Sequence, residues 1–384
     1  MRRYFSLSHM AAGFIAVLVG FTSSAAIIFS AVSALGATQA ETTSWFWALG
    51  LGMFATSVGL SLRFKAPILT AWSTPGAALL VTALAGVPMA EAIGAFLFSS
   101  LLIVLCGVFG LFDALMKQVP KSLAAALLAG VLARFGLELF VSLRAELALV
   151  GLMLGVYLAA RRWLPRYAVP LAFLAGLAWA AGGGMIRVAA IDLALAVPVW
   201  TTPQFSLSTL IGVGLPLFVV TMASQNVPGL AVLRANGYTT PASPLITWTG
   251  VAGLVLAPFG GYALNLAAIT AAICMSPAAD PRPEERYRAA IWAGLFYLGT
   301  GIFAATVTSL FSALPHALIA AIAGLALLGT IGNGLAGALA DEAEREAALV
   351  TFLCTLSGIS LFGIGSAFWG LLLGMAVRRM LRPR

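Results

Sequence analysis

The feature that most restricts this chain is a succession of apolar stretches, each close to the length of a bilayer crossing, separated by short turns that hold nearly all the charge. Of 384 residues, 61% are hydrophobic and 9% charged, where soluble domains carry about 25% charged residues. No polar block is long enough to fold separately. The expectation is an all-α polytopic membrane protein with about fourteen transmembrane segments. The first seven lie near 9–35, 44–61, 66–86, 89–111, 120–142, 145–161 and 167–184. The second seven lie near 207–228, 243–259, 261–276, 287–311, 315–333, 347–362 and 363–379. Arg2-Arg3 before an apolar run imitates a signal peptide, but the run to Leu35 is too long for one and reads as an uncleaved first crossing.

The basic residues give a direction. With both termini cytoplasmic, inside turns hold all of the 21 Lys and Arg except Arg134, Arg144 and Arg187, as the positive-inside rule requires. The excess of positive charge is therefore topogenic, and nucleic acid is not needed to explain it. Cys106, Cys274 and Cys354 each stand alone in apolar runs, with no metal-ligand spacing and no disulfide framework. Neither a metal nor another cofactor is implied.

A duplication runs through the chain. Leu7-Ser8 is echoed by Leu207-Ser208, Ala66-Pro67 by Ala257-Pro258, and Ala92-Ile93 by Ala290-Ile291. Leu111-Phe112-x-Ala-Leu115 recurs as Leu310-Phe311-x-Ala-Leu314, and Pro120-x-x-Leu-x-Ala-Ala126 as Pro315-x-x-Leu-x-Ala-Ala321. The order is kept throughout. Residues 1–184 and 207–384 thus read as two seven-segment repeats joined by 185–206. An odd number of crossings per repeat makes them inverted relative to each other.

The third and tenth crossings are interrupted. Residues 66–72 look extended, Ser73 or Thr74 can cap a helix, and Pro75 suits its first turn. A helix from Pro75 to Ala85 would rise about 16 Å, roughly half of a hydrocarbon core. In the tenth, Gly260-Gly261 break the preceding helix, Tyr262 to Leu264 run extended, and Asn265 is expected to cap a helix over 266–275, opposite Thr74. A Pro-kinked continuous helix is the alternative for either stretch. Two breaks at corresponding positions favour a pair of half-helices with short extended arms, the sequence-level pointer to a transporter's binding site.

Such half-helices would meet near the midplane and offer amide-rich N-termini to an anion. Ser73, Thr74 and Asn265 are candidate contacts, although capping alone also accounts for them. Ser24 in the first crossing and Ser224, Gln225 and Asn226 in the eighth would complete a polar wall; a buried Gln–Asn pair demands partners. Trp72 and Tyr262, with Phe21 and Phe259, lie close enough in sequence to sandwich a ring. The cores of crossings one, three, eight and ten hold no charged side chain, which suits a small monoanion. Deeper ionisable groups are Glu91, a proton-coupling candidate, and Arg134 with Glu138, spaced to form an ion pair.

APILTAWSTPGAALL at 66–80, TMASQNVPGLAVLRANGY at 221–238 and APFGGYALNLAAITAAICMSP at 257–277 together resemble the benzoate:proton symporters, the BenE-type benzoate membrane transport proteins, over essentially the whole chain. The resemblance implies uptake of benzoate or a related aromatic carboxylate across a bacterial inner membrane, driven by protons, by a monomer or a homodimer in lipid. More distantly the layout is similar to nucleobase permeases and sulfate-type anion transporters. In that fold, crossings one to four and eight to eleven form a core domain, and five to seven with twelve to fourteen a gate domain. Nucleobase permeases carry acidic residues where this chain has Ser224-Gln225 and Ile269-Thr270, which argues against a nucleobase. Another small anion or a passive anion channel shares the fold-level features. A membrane enzyme would need clustered acids, a metal set or an activated nucleophile, and the sequence offers none.

Overall fold

The computed structural model describes residues 6–112, 120–187, 193–359, 361–362 and 366–381. Helices α1 (Leu7–Ala34), α2 (Gln39–Phe64), α3 (Thr74–Ala83), α4 (Met89–Val108), α5 (Lys121–Ala145), α6 (Leu147–Trp163) and α7 (Ala168–Gly182) build the first half. The second half contains α8 (Leu207–Arg234), α9 (Ala242–Leu256), α10 (Ile269–Cys274), α11 (Tyr287–Ile302), α12 (Ala304–Ala313), α13 (His316–Ala338), α14 (Arg345–Ser357) and α15 (Ser366–Leu381). Every expected stretch holds a helix. Six of the described helices are long and apolar enough to cross a bilayer alone, and up to eight spans result if each bent pair counts as one. The eleventh stretch is one such pair: it turns by 70° at Phe303, between α11 and α12.

Local signals account for the ends. Thr38 and Glu41 form a reciprocal capping box at the start of α2, and Pro88, Pro120 and Pro315 stand just before α4, α5 and α13. Packing follows the duplication: α2 lies along α11 as α4 lies along α9, and α5 packs on α13. Small residues permit the close approaches, as is usual between helices that lipid does not drive together. A Cβ on Gly50 of α2 would sit 2.6 Å from the Cα of Gly301 in α11, and one on Gly250 of α9 would sit 2.9 Å from the backbone nitrogen of Val104 in α4.

Where the two halves meet, a two-stranded antiparallel ladder replaces helix. Strand β1 (Thr70–Trp72) pairs with β2 (Leu264–Leu266), with Thr70 opposite Leu266, Ala71 opposite Asn265 and Trp72 opposite Leu264. Extended backbone this deep must find every hydrogen bond inside the protein, and it does so with hydroxyls from α2. Ser61 Oγ donates to the Ile68 carbonyl at 2.9 Å, the Thr70 amide donates to Ser57 Oγ at 3.0 Å, and Thr56 shares a 2.6 Å bond with Thr70.

The interruption of both spans is therefore present, but the tenth differs in register from its sequence reading. Asn265 lies within β2 and caps nothing; α10 starts at Ile269 with Ala268 before it and no side-chain cap. Asn265 faces Ala71 in the ladder, not Thr74. The physical reason is the turn upstream. Gly260, at φ +92°, and Ala263, at φ +35°, fold residues 257–263 into a compact corner that uses up chain before the strand begins. Only glycine fits the first position, because a Cβ on Gly260 would fall 1.8 Å from the Trp45 ring.

Candidate functional site

A cavity of about 280 Å³ lies where the ladder ends and the two half-helices begin. Trp72, Thr74 and Pro75 of the first half line it from one direction, and Ala268, Ile269 and Thr270 of the second from the other. Ser24 of α1 and Ser224 and Gln225 of α8 close its flank, while Leu132 of α5 and Leu327, Thr330 and Asn333 of α13 form the opposite wall. No charged side chain is among the described residues that line it.

The candidates divide into two groups with different work. Thr74, Ser224 and Gln225 reach the cavity, and their side chains make no hydrogen bond with other described residues. Ser224 and Gln225 sit in a π-helical turn, Met222–Asn226, immediately before Pro228. A wider turn of this kind swings side chains off the regular helical positions and recurs at functional sites.

The second group is committed to the scaffold. Ser73 caps α3, its hydroxyl accepting from the Gly76 amide at 3.0 Å, and its own amide donates to the Ala263 carbonyl. Asn226 is fully buried; its Oδ1 accepts from the Leu266 amide at 2.9 Å and so holds β2 against α8. Asn265 is fully buried as well, donating from Nδ2 to the Ala263 carbonyl at 3.0 Å while its Oδ1 has no partner. Tyr262 points away from the cavity, packed beside Trp45 and Phe96, with its hydroxyl 3.4 Å from the Ser73 carbonyl.

Ser24 and Trp72 do both. The Trp72 indole donates to Ser24 Oγ at 2.7 Å, the Ser24 hydroxyl donates to the Gly20 carbonyl, and both residues face the cavity. Phe21 packs edge-on to Trp72 with centroids 5.3 Å apart, whereas Phe259 packs on Trp47 and Trp200, away from the site. The ring opposite Trp72 across this region is Tyr297 of α11, at 6.5 Å.

Three contributors escaped the sequence reading. Tyr297 carries no local signal. Thr330 and Asn333 do: spaced three apart on an otherwise apolar helix, they fall on one face, and that spacing alone marks them. Glu91 lies outside the cavity, in the first turn of α4, accepting from the Thr209 hydroxyl at 2.6 Å. Arg134 and Glu138 form no ion pair; Arg134 instead donates from Nε and Nη2 to the Leu356 and Ser357 carbonyls at the end of α14.

Broken spans held together by a ladder, around a neutral polar cavity, are the arrangement of a membrane transport protein. Over residues 3–380 the chain matches the benzoate membrane transport protein family, BenE, and it belongs to that family. It is 39% identical over 385 residues to the "Benzoate membrane transport protein" of Acinetobacter baylyi, covering 100% of this chain and 98% of that one. It is 52% identical over 363 residues to the "Inner membrane protein YdcO" of Escherichia coli, covering 94% and 93%. Solved structures share the fold at low identity. The transmembrane domain of the cyanobacterial bicarbonate transporter BicA superposes with a TM-score of 0.62 at 14% identity, over 97% of this chain and 96% of that one. SLC26A9 superposes with 0.61 at 12%, over 97% and 65%.

Proposed function

We propose that this protein is a secondary transporter that takes up benzoate or a related aromatic carboxylate together with protons, by alternating access. The observation that carries the reading is the cavity itself. Thr74, Ser224, Gln225 and Thr330, half-buried, and the more exposed Asn333 line it with polar side chains that make no hydrogen bond with other described residues, so their donors and acceptors are free to bond a ligand. Trp72 and Tyr297 add aromatic faces for a ring. Without a fixed charge in the lining, a monoanion bound by neutral donors can be released to either side. A relative's name supplies the substrate class.

The core domain comprises crossings one to four and eight to eleven, and α5 and α13 belong to the gate. Movement of one against the other opens the cavity alternately to each face, with both termini in the cytoplasm of a bacterial inner membrane. Ser73, Asn226 and Asn265 position the ladder, and Tyr262 backs it.

Uptake of labelled benzoate into proteoliposomes tests this directly. Accumulation above the outside concentration under an inward proton gradient is the expected result; equilibration without accumulation indicates a passive channel. Thr74→Val is expected to weaken uptake with no loss of thermal stability. Glu91→Gln is expected to remove the dependence on the gradient while binding persists. A gradient dependence that survives this change moves the proton to another residue or to the co-transported acid.

A further inference from the structure

A second and larger cavity, about 760 Å³, lies between the end of α1, the flank of α3 and the helices α5 and α13. Its walls include Phe29, Phe135 and Phe311, and its ionisable side chains are Arg134, Glu138 and His316. We propose that this vestibule is an outer docking site for the aromatic carboxylate, with the Arg134 guanidinium as its anchor.

Three observations converge. Arg134 contributes the one guanidinium or ammonium lining either cavity among the described residues. The carbonyls of Leu356 and Ser357 fix its orientation through Nε and Nη2 and leave Nη1 without an acceptor among the described residues. An orientated guanidinium is the best side-chain partner for a carboxylate. Phe29 and Phe311, stacked on each other at 4.6 Å, line the same cavity and offer a platform for a further ring.

The two cavities are also neighbours. Val131 and Ala323 face the vestibule, while Leu132 and Ala326 on the same helices face the inner site. Aromatic contacts link them without a gap: Trp72 to Phe21, Phe21 to Phe46, Phe46 to Phe29 and Phe29 to Phe311. Glu138, one turn beyond Arg134 and not paired with it, opposes an anion there and sets the affinity low enough for release.

This assignment rests on the proposed substrate class, and the experiment separates the two. Labelled benzoate is titrated onto the full chain in lipid nanodiscs, and uptake is measured in parallel. The wild type should bind two molecules per chain. Arg134→Gln should bind one, with the KM for uptake raised about tenfold and the maximal rate kept. Glu138→Gln leaves the α14 contacts intact and should lower KM. Arg134→Lys, which keeps the charge, should retain the second molecule even where thermal stability falls. Thr74→Val combined with Gln225→Leu should abolish uptake and leave the one molecule that depends on Arg134. Unchanged stoichiometry and KM in Arg134→Gln, or an unchanged KM in Glu138→Gln, overturns the vestibule site. Uptake that survives Thr74→Val with Gln225→Leu overturns the inner site instead.

Discussion

The two broken spans occupy equivalent places in the duplicated fold, yet they are secured differently. The first is bonded and capped by side chains of its own half, in addition to the ladder it shares with the second. Hydroxyls of α2 satisfy its extended arm, Ser73 caps its helix, and Pro75 removes an amide from the first turn. The second also takes a side-chain bond from its own half, but its helix has no cap. Its arm leans on Asn226 of α8, its corner needs a left-handed Gly260, and its six-residue helix starts at Ile269 without a side-chain cap. A capped half-helix thus faces an uncapped one with amide groups to spare, and both line the cavity between them.

The comparison can be broken most severely at Asn226. Asn226→Ala leaves the buried Leu266 amide without an acceptor, at about 1–3 kcal/mol, and releases β2. Uptake should be lost and the unfolding temperature should fall; retention of both would show that β2 is held by the ladder alone. Gln225→Leu, one residue earlier but facing the cavity, should weaken benzoate binding about tenfold and leave the unfolding temperature in place. Equal effects at 225 and 226 would erase the division between lining and bracket. Ser73→Ala removes the cap of the first half-helix and should destabilise by about 1 kcal/mol, with affinity nearly unchanged in equilibrium binding.

The smallest effect belongs to the loop after α10. Burial raises the Asp280 carboxyl, but the Arg282 amide and guanidinium, together with His9 at 3.0 Å, outweigh burial and leave the group below the usual carboxylate range. A carboxyl lowered in the folded state stabilises it above the unfolded value, about 3.9, and loses that contribution as pH falls through the lowered one. Asp280→Asn should therefore unfold at a lower temperature than the wild type at pH 7, and the gap should close on acidification below about pH 4. A gap that is constant with pH would leave the carboxylate no part in fastening α1 to the second broken span.

How much of this was legible follows from the range of each interaction. The apolar stretches, the duplication and both breaks were visible because they are local: Pro75 after Ser73-Thr74, and Gly260-Gly261 after Pro258, each interrupt a helix by their own chemistry. The register of β2 was not, because an asparagine after a glycine corner can cap a helix or enter a strand, and Asn226, 39 positions upstream of Asn265 in the numbering, decides which. The same distance hid the split in the SQN triplet. Ser224 and Gln225 turn inward and Asn226 turns to the ladder because a π-helical turn changes their spacing, and that turn has no composition of its own. Arg134 and Glu138 matched a salt-bridge spacing, but the unsatisfied carbonyls ending α14 compete for the arginine, and they come from the far end of the chain.

The ladder between Thr70–Trp72 and Leu264–Leu266 has a consequence for how the molecule is made. Each half supplies the edge that the other's arm lacks, so the first half leaves the ribosome with part of its backbone unmatched in the bilayer. It stays so until the tenth segment is synthesised and threads in beside it. Assembly of the centre is therefore a late event in biogenesis, and a nascent chain truncated before Leu264 should remain open to degradation however well its outer helices have inserted.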